Sequence, residues 1–182
     1  MNSKFLKAAA LLVIAYAFFA VNLFAEEGAT TPAPTYVGSG KCKICHKGDK
    51  NGNIWETWEA GVHANSMASL VAKGEENNPE CLACHTTGYG AGGFGTEGLD
   101  PKVAEGLNHV GCEACHGPGS EYKTKSVMED RDAAIAAGMI VPTAETCVTC
   151  HNEKSPTFKG FDFAEYWAKI EHKLPAAAPA EE

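Results

Sequence analysis

Cysteine and histidine recur together in this 182-residue chain as four copies of one short pattern, Cys-x-x-Cys-His. The copies occupy residues 42–46, 81–85, 112–116 and 147–151. Two thiols at this spacing can add to the vinyl groups of a haem, and the histidine that follows can ligate its iron. All eight cysteines lie in these motifs, so none is left for a disulfide bond. The pattern therefore predicts four covalently attached haem c groups.

Paired cysteines also form structural zinc sites, which is the alternative interpretation. A zinc ribbon does not require a histidine directly after each pair, whereas all four pairs here have one. The sequence thus favours haem over zinc or thiol redox chemistry. The predicted covalent attachment residues are Cys42, Cys45, Cys81, Cys84, Cys112, Cys115, Cys147 and Cys150. The predicted proximal iron ligands are His46, His85, His116 and His151.

The length of the chain limits how four haems can be enclosed. A chain of 182 residues cannot surround four large macrocycles with an ordinary apolar core. We therefore expect a mainly α-helical multihaem cytochrome, with short helices and long loops wrapped around four closely packed haems. Each motif is followed by helix-breaking residues, so each is predicted to be a short helical turn that stops just past its histidine.

Three segments have longer helical patterns. Residues 53–73 carry apolar side chains at helical spacing, with His63 on an adjacent stripe. Residues 129–137 form a short pattern that ends at a glycine. Residues 162–172 begin with a capping box of Asp162 and Glu165 and place His172 in the last turn. These segments are the predicted scaffold on which further iron ligands can be placed.

Counting histidines gives a strong constraint on the irons. His63, His109 and His172 remain outside the motifs, so four irons compete for three distal histidines. At least one iron must take methionine, water, no ligand or a group from another chain. Met67 lies one turn from His63, but packing against a haem edge suits it better than ligation. Two histidine ligands suit electron transfer, whereas an open iron can bind small molecules.

The interval at residues 86–106 contains glycines at positions 88, 90, 92, 93, 95, 98 and 106. It lacks the Gly-Lys-Ser/Thr signature of a phosphate-binding loop. We interpret it as a loop whose glycines let the backbone approach a porphyrin closely. The alternative is a flexible cover over an open iron at the second haem.

The N-terminus has the pattern of a secretory signal peptide, with Lys4 and Lys7 before an apolar stretch and Ala25 before two acidic residues. We predict a signal peptide at residues 1–25, a flexible Pro-rich leader at 26–35, a tetrahaem domain at 36–173 and a disordered tail at 174–182. An uncleaved membrane anchor is the alternative. If the signal is cleaved, no stable membrane span remains, and the protein is periplasmic or secreted.

The formal net charge of −8 argues against nucleic acid and anionic lipid surfaces as partners. It permits steering towards redox partner proteins with basic docking surfaces. Because every cysteine is assigned to a haem, no Cys/His nucleophile is available. Glu113, Asp130 and Glu145 are interpreted as solvated charges and not as acid/base pairs.

The chain resembles the tetrahaem cytochrome c-554 family over residues 36–173. The resemblance rests on Gly-Lys-Cys-Lys-Ile-Cys-His at 40–46, Trp58 followed by His63-Ala64, Cys-Leu-Ala-Cys-His at 81–85 with the glycine-rich interval, and Gly-Cys-Glu-Ala-Cys-His-Gly-Pro-Gly at 111–119. It implies three haems with two histidine ligands and one five-coordinate haem at the second motif. It also implies that the protein relays electrons, as a family member does from hydroxylamine oxidation.

The resemblance further implies that His63 is the distal ligand of the third haem and His172 that of the fourth. In the family, the distal histidine of the first haem follows the Gly-Pro-Gly after the third motif. Residues 117–146 contain no histidine here, and Tyr122 occupies that neighbourhood. We hypothesise that His109 ligates the first haem and leaves the second open. The rival hypothesis places His109 on the second haem and leaves the first open.

These observations predict an exported electron carrier, and not an enzyme, that relays electrons between redox partners in anaerobic or nitrogen-compound respiration. One alternative is a redox enzyme acting on nitric oxide, nitrite or hydroxylamine at one five-coordinate haem. Another is a subunit of a stacked conductive assembly, in which a histidine of a neighbouring chain fills the vacant position. The sequence does not exclude an oligomer.

Overall fold

The computed structural model describes residues 32–173, and within this range the chain is helical and contains no β-strand. Its α-helices are α1 (Ser39–His46), α2 (Ile54–Glu59), α3 (Ser66–Val71), α4 (Pro79–His85), α5 (Pro101–Glu105), α6 (Cys112–His116), α7 (Lys125–Met128), α8 (Arg131–Ala136), α9 (Ala144–Val148) and α10 (Phe163–Ile170). Two 3-10 turns lie at Asp49–Asn51 and His63–Asn65. The predicted mainly α architecture of short helices and long loops is confirmed. None of the helices in this range is long and apolar enough to cross a membrane.

The segment containing the four motifs forms a unit that begins at Pro34. The predicted signal peptide at residues 1–25, most of the leader and the tail at 174–182 lie outside the described residues. The boundaries of the predicted tetrahaem domain therefore remain predictions.

Three of the four motifs end a helix at their histidine, as predicted. Helix α1 ends at His46, α4 at His85 and α6 at His116, and the residue after each leaves the helical conformation. The fourth motif differs, because α9 begins upstream of it and ends at Val148. A tighter turn, in which the His151 amide donates to the Cys147 carbonyl at 3.0 Å, completes this motif.

The single helix predicted over residues 53–73 is wrong, since this segment forms α2, the 3-10 turn at His63–Asn65 and α3. The break occurs at Gly61, whose amide donates to the Trp58 carbonyl, three residues back, at 2.9 Å. The Asn65 side chain donates to the Gly61 carbonyl at 3.3 Å and holds the turn. His63 therefore projects from a tight turn and not from a continuous apolar stripe.

The other two predicted helices form with shorter boundaries. Helix α8 begins after Asp130, whose side chain caps its first turn. Helix α10 begins after Asp162, whose carboxylate accepts from the Glu165 amide at 2.9 Å. Helix α10 ends at Ile170, and Glu171 is extended, with ψ 139°. His172 thus lies beyond the helix, where the chain is free to point its imidazole inward.

The described chain has a small apolar core. Its buried apolar side chains are Trp55, Leu70, Leu82, Leu107, Tyr122 and Ala134. Large apolar side chains beside the motifs remain exposed, among them Ile44 inside the first motif and Val62 next to His63. So small a core fits the expectation that bound macrocycles, and not side chains, complete the interior.

A buried carboxylate joins the start of the domain to the third motif. Glu113 is only 3% exposed. Its carboxylate accepts hydrogen bonds from the amides of Val37 at 2.9 Å, Gly38 at 2.8 Å and Gly119 at 2.7 Å. The interpretation of Glu113 as a solvated charge is therefore wrong. Three backbone donors compensate for the loss of water around this carboxylate.

Candidate haem-binding sites

Two histidines from outside the motifs lie opposite two motif histidines. The ring centroids of His63 and His151 are 6.0 Å apart, and those of His116 and His172 are 6.1 Å apart. With metal–imidazole bonds of about 2.0 Å, two imidazoles on opposite sides of one metal ion place their centroids about 6 Å apart. Both pairs therefore have the spacing that a shared iron requires.

These pairings are the reverse of those implied by the resemblance. His63 lies against the histidine of the fourth motif and not the third. His172 lies against the histidine of the third motif and not the fourth. The reason is the path of the chain: α10 returns from the fourth motif towards the third, and the tight turn at Gly61 directs His63 towards the fourth.

Two motif histidines are held by backbone carbonyls through the ring nitrogen that faces away from the predicted iron. His116 Nδ1 lies 3.0 Å from the Ile140 oxygen, and His85 Nδ1 lies 2.9 Å from the Ser66 oxygen. A donor bond at Nδ1 fixes the tautomer and leaves the Nε2 lone pair for a metal. In contrast, His46 Nδ1 is buried without a hydrogen-bond partner among the described residues.

Burial keeps the candidate ligand rings neutral. Desolvation is the main cause that lowers the pKa of His46, His63, His116 and His151 below the usual value. Only the neutral imidazole offers a lone pair to iron. At neutral pH these rings are therefore in the protonation state that ligation needs.

Contacts between cysteines show which motifs are neighbours. The Cys42 thiol lies beside the Cys112 thiol, and the helix of the first motif contacts the helix of the third. The Cys84 thiol lies beside the Cys150 thiol, so the second motif is next to the fourth. Cys115 lies near Cys147 and Cys150, so the third motif is next to the fourth. The motifs are thus ordered first, third, fourth, second.

Burial keeps two of the thiols protonated at neutral pH. Burial raises the pKa of Cys84 and Cys115 to about 11. All eight cysteines are free of disulfide bonds. Each is therefore available as the thiol that adds to a vinyl group. Within residues 32–173, no three metal-ligating side chains converge on one point.

His109 has a different environment from the paired histidines. Its Nε2 lies 3.1 Å from the Ser39 hydroxyl, and its Nδ1 lies 2.9 Å from the Asn108 side-chain oxygen. One face of the ring packs against Trp58, with centroids 4.9 Å apart. Both nitrogens are therefore bound by protein, and the structure brings this ring to Ser39 and Trp58 and not to a motif histidine.

The glycine-rich interval packs against itself and against Tyr36. A Cβ atom at Gly88 would overlap the Tyr36 ring, and one at Gly93 would overlap the Thr87 carbonyl. Gly88 also has a φ of +70°, which disfavours other residues. In contrast, Gly90 and Gly92 face open space. At least two of the glycines are thus required by contacts within the protein itself.

Sequence reasoning missed the polar residues that position the histidines. Ser66 donates to the His85 carbonyl at 2.7 Å, and its own carbonyl faces His85 Nδ1. Ser39, only 2% exposed, contacts His109 and the Gly106 carbonyl. Thr87 donates to the His109 carbonyl at 2.7 Å. No spacing or motif distinguishes these hydroxyls from exposed ones, so only the fold reveals them.

Three comparisons with known proteins agree. Residues 41–117 match the family model described as cytochrome c554 and c-prime. Cytochrome c-554 of Nitrosomonas europaea is 30% identical over 131 residues, which are 62% of this chain and 52% of that protein. The structure of cytochrome c554 from Nitrosomonas europaea in the reduced state superposes with a TM-score of 0.51 at 27% identity, and the match covers 77% of this chain and 79% of that chain.

The chain therefore spans about half the length of the curated relative that it matches. The family model includes the first three motifs, and the fourth has the same Cys-x-x-Cys-His pattern. The facing histidine pairs, the free cysteines and the small apolar core all fit bound haem. Over the first three motifs this chain is similar to cytochromes of the c-554 family, and its four Cys-x-x-Cys-His motifs carry four covalently attached haem c groups.

Proposed function

We propose that this chain is an exported electron carrier that relays electrons between redox partner proteins in anaerobic or nitrogen-compound respiration. The observation that carries the proposal is the order of the motifs together with the two facing histidine pairs. The third and fourth motifs are in the middle of the row, and each has a histidine pair at 6.0–6.1 Å. Bis-histidine haems suit outer-sphere electron transfer because both axial positions are filled.

Specific residues would hold the haems. The eight cysteines attach them, and His46, His85, His116 and His151 bind on the proximal side. His63 completes the fourth site, and His172 completes the third. The haems supply one-electron redox chemistry, and the protein orients the rings and excludes water from them.

The charge of the chain suits a particular class of partner. Its formal net charge is −8, which attracts partners with basic docking surfaces. Such steering weakens as salt screens the charges over about 10 Å at 0.1 M ionic strength. We expect the N-terminal signal to deliver the protein to the periplasm or outside the cell, where its partners also lie.

Rapid mixing tests the relay. The reduced holoprotein is mixed with an oxidised, basic c-type cytochrome at rising salt, and haem oxidation is followed by absorbance. We expect all four haems to be oxidised in one rapid process whose rate falls at least tenfold between 10 mM and 500 mM salt. An acidic cytochrome of similar potential is the matched control and should show no such fall. Oxidation of fewer than four haems, or a rate independent of salt with both partners, would contradict the relay.

A second candidate function is redox chemistry on nitric oxide, nitrite or hydroxylamine at an open haem. It is favoured by the shortage of histidines, since the chain has seven for four irons. His85 is held firmly by Ser66 on its Nδ1 side, and no second imidazole ring packs against it among the described residues. Steady-state assays with each substrate and a chemical reductant distinguish the two functions. Turnover well above that of free haem would support the enzyme.

A further inference from the structure

We propose that the first haem, attached at Cys42 and Cys45, lacks a histidine on its distal side and is a second open iron. Its ligand class is the neutral diatomic π-acceptor, with carbon monoxide and nitric oxide as examples. Together with the second haem, it would place an open iron at each end of the row of four. This inference rests on the four-haem arrangement and extends the proposed relay without depending on its partners.

The first step is the engagement of His109, the only unassigned histidine. Its Nε2, the atom that would bind iron, lies against the Ser39 hydroxyl at 3.1 Å. Its Nδ1 is bound to Asn108, and its ring face is covered by Trp58. Ser39 is only 2% exposed, so moving His109 would leave a buried hydroxyl without this partner. The geometry thus assigns His109 a structural role.

The second step is the fixed position of the neighbouring residues. Trp58 cannot move aside freely, because its Nε1 donates to the Val110 carbonyl at 3.0 Å. The main chain of His109 is fixed from the other side, since Thr87 donates to its carbonyl and accepts from the Gly111 amide at 2.9 Å. Side chain and backbone are therefore held by independent hydrogen bonds. By contrast, His172 lies past the end of α10, where its Nδ1 is 3.3 Å from the Ile170 oxygen and its ring faces His116.

The third step concerns Tyr122, which lies in the histidine-free segment that follows the third motif. Its hydroxyl donates to the Gly117 carbonyl at 2.6 Å, and the side chain is 7% exposed. Burial raises the pKa of this phenol above its usual value, so it stays protonated. Tyr122 therefore supports the turn after the third motif and is not free to serve as a replacement ligand.

The fourth step is position in the row. The first motif contacts the third through Cys42 and Cys112, and the second contacts the fourth through Cys84 and Cys150. The two motifs without a facing histidine pair are thus the terminal ones. Both bis-histidine sites lie between them. A ligand bound at one end can communicate with the other end only through the two central haems.

Counting carbon monoxide tests the proposal. The full-length holoprotein is reduced with dithionite under argon and titrated with carbon monoxide, and the bound gas is counted per chain. Low-temperature electron paramagnetic resonance of the oxidised protein counts high-spin and low-spin irons independently. We expect two carbon monoxide molecules bound within the mixing time, and two high-spin with two low-spin irons. One carbon monoxide per chain, or three low-spin irons, would overturn the proposal.

Matched variants separate a structural from a ligating role for His109. His109→Gln retains an amide that can bond Ser39 but offers no imidazole. The number of bound carbon monoxide molecules and the number of high-spin irons should therefore both stay at two per chain. His172→Ala is the control, and it should raise both counts to three. A rise to three with His109→Gln would show that His109 is a ligand and would overturn the proposal. These counts do not depend on electron exchange with partners. The proposed relay can therefore fail while this inference holds, and this inference can fail while the relay holds.

Discussion

Paired histidines and His109 occupy opposite kinds of environment in the same fold. His63 and His172 come from a tight turn and from the chain beyond a helix, and each faces a motif histidine at about 6 Å. His109 lies only three residues before Cys112, yet its ring nitrogens contact the side chains of Ser39 and Asn108. Nearness to a motif in sequence therefore does not bring a histidine into a facing pair. His109 differs in that its Nε2, the nitrogen that would bind iron, already contacts the Ser39 hydroxyl.

The largest effect is expected for His63→Ala, because it removes one side of a facing pair. One low-spin iron should become high-spin, and one additional carbon monoxide should bind per chain. Electron paramagnetic resonance and gas titration measure both changes. His63→Met is the matched control, since its thioether can still reach the iron and should keep it low-spin at a higher reduction potential. An unchanged spectrum in His63→Ala would remove His63 from the ligand set.

A smaller effect is expected for Trp58→Phe, which keeps an aromatic face on His109 but deletes the bond from Nε1 to the Val110 carbonyl. The holoprotein should lose about 1–2 kcal/mol of stability, from the hydrogen bond and lost packing. Urea unfolding of the variant and the wild type measures this loss of stability. Trp167→Phe in α10 is the control and should cost less. Both variants should retain the wild-type spin counts, and a changed count in Trp58→Phe would mean that the indole controls an iron ligand.

The smallest effect is expected for Ser39→Ala, which removes the hydroxyl facing His109 Nε2. The cost should be about 1 kcal/mol, typical of a single buried hydrogen bond, measured by urea unfolding. Ser126→Ala, at an exposed position of α7, is the control and should be neutral. If this substitution converts a high-spin iron to low-spin, the Ser39 hydroxyl alone prevents His109 from ligating an iron.

Local pattern was enough to predict the cofactor, its number and the helical class. Each motif is contiguous, and each needs only five residues to be recognised. Helix α10 and its Asp162 cap were also predictable, because capping is set within one turn. The break at Gly61 was not, since a glycine inside a helical pattern is often tolerated.

The pairing of ligands and the role of Glu113 depend on residues far apart in the chain. Ser39 and His109 are separated by 70 positions, and Glu113 binds an amide 76 positions away. Neither contact leaves a local signal in the sequence. The rings that face His63 and His172 differ from those that the resemblance implies, because ring pairing depends on the path of the chain and not on the order of motifs.

The alternation of motifs along the row has a consequence for modularity. The first and third motifs touch, and so do the second and fourth. A cut between residues 85 and 112 would therefore divide both contacts at once. The amino-terminal half would hold the two terminal haems without the two that connect them. The carboxy-terminal half would keep the third and fourth motifs, which are neighbours, but each would lose the terminal motif that it contacts. The two halves therefore depend on each other for the contacts at both ends of the row.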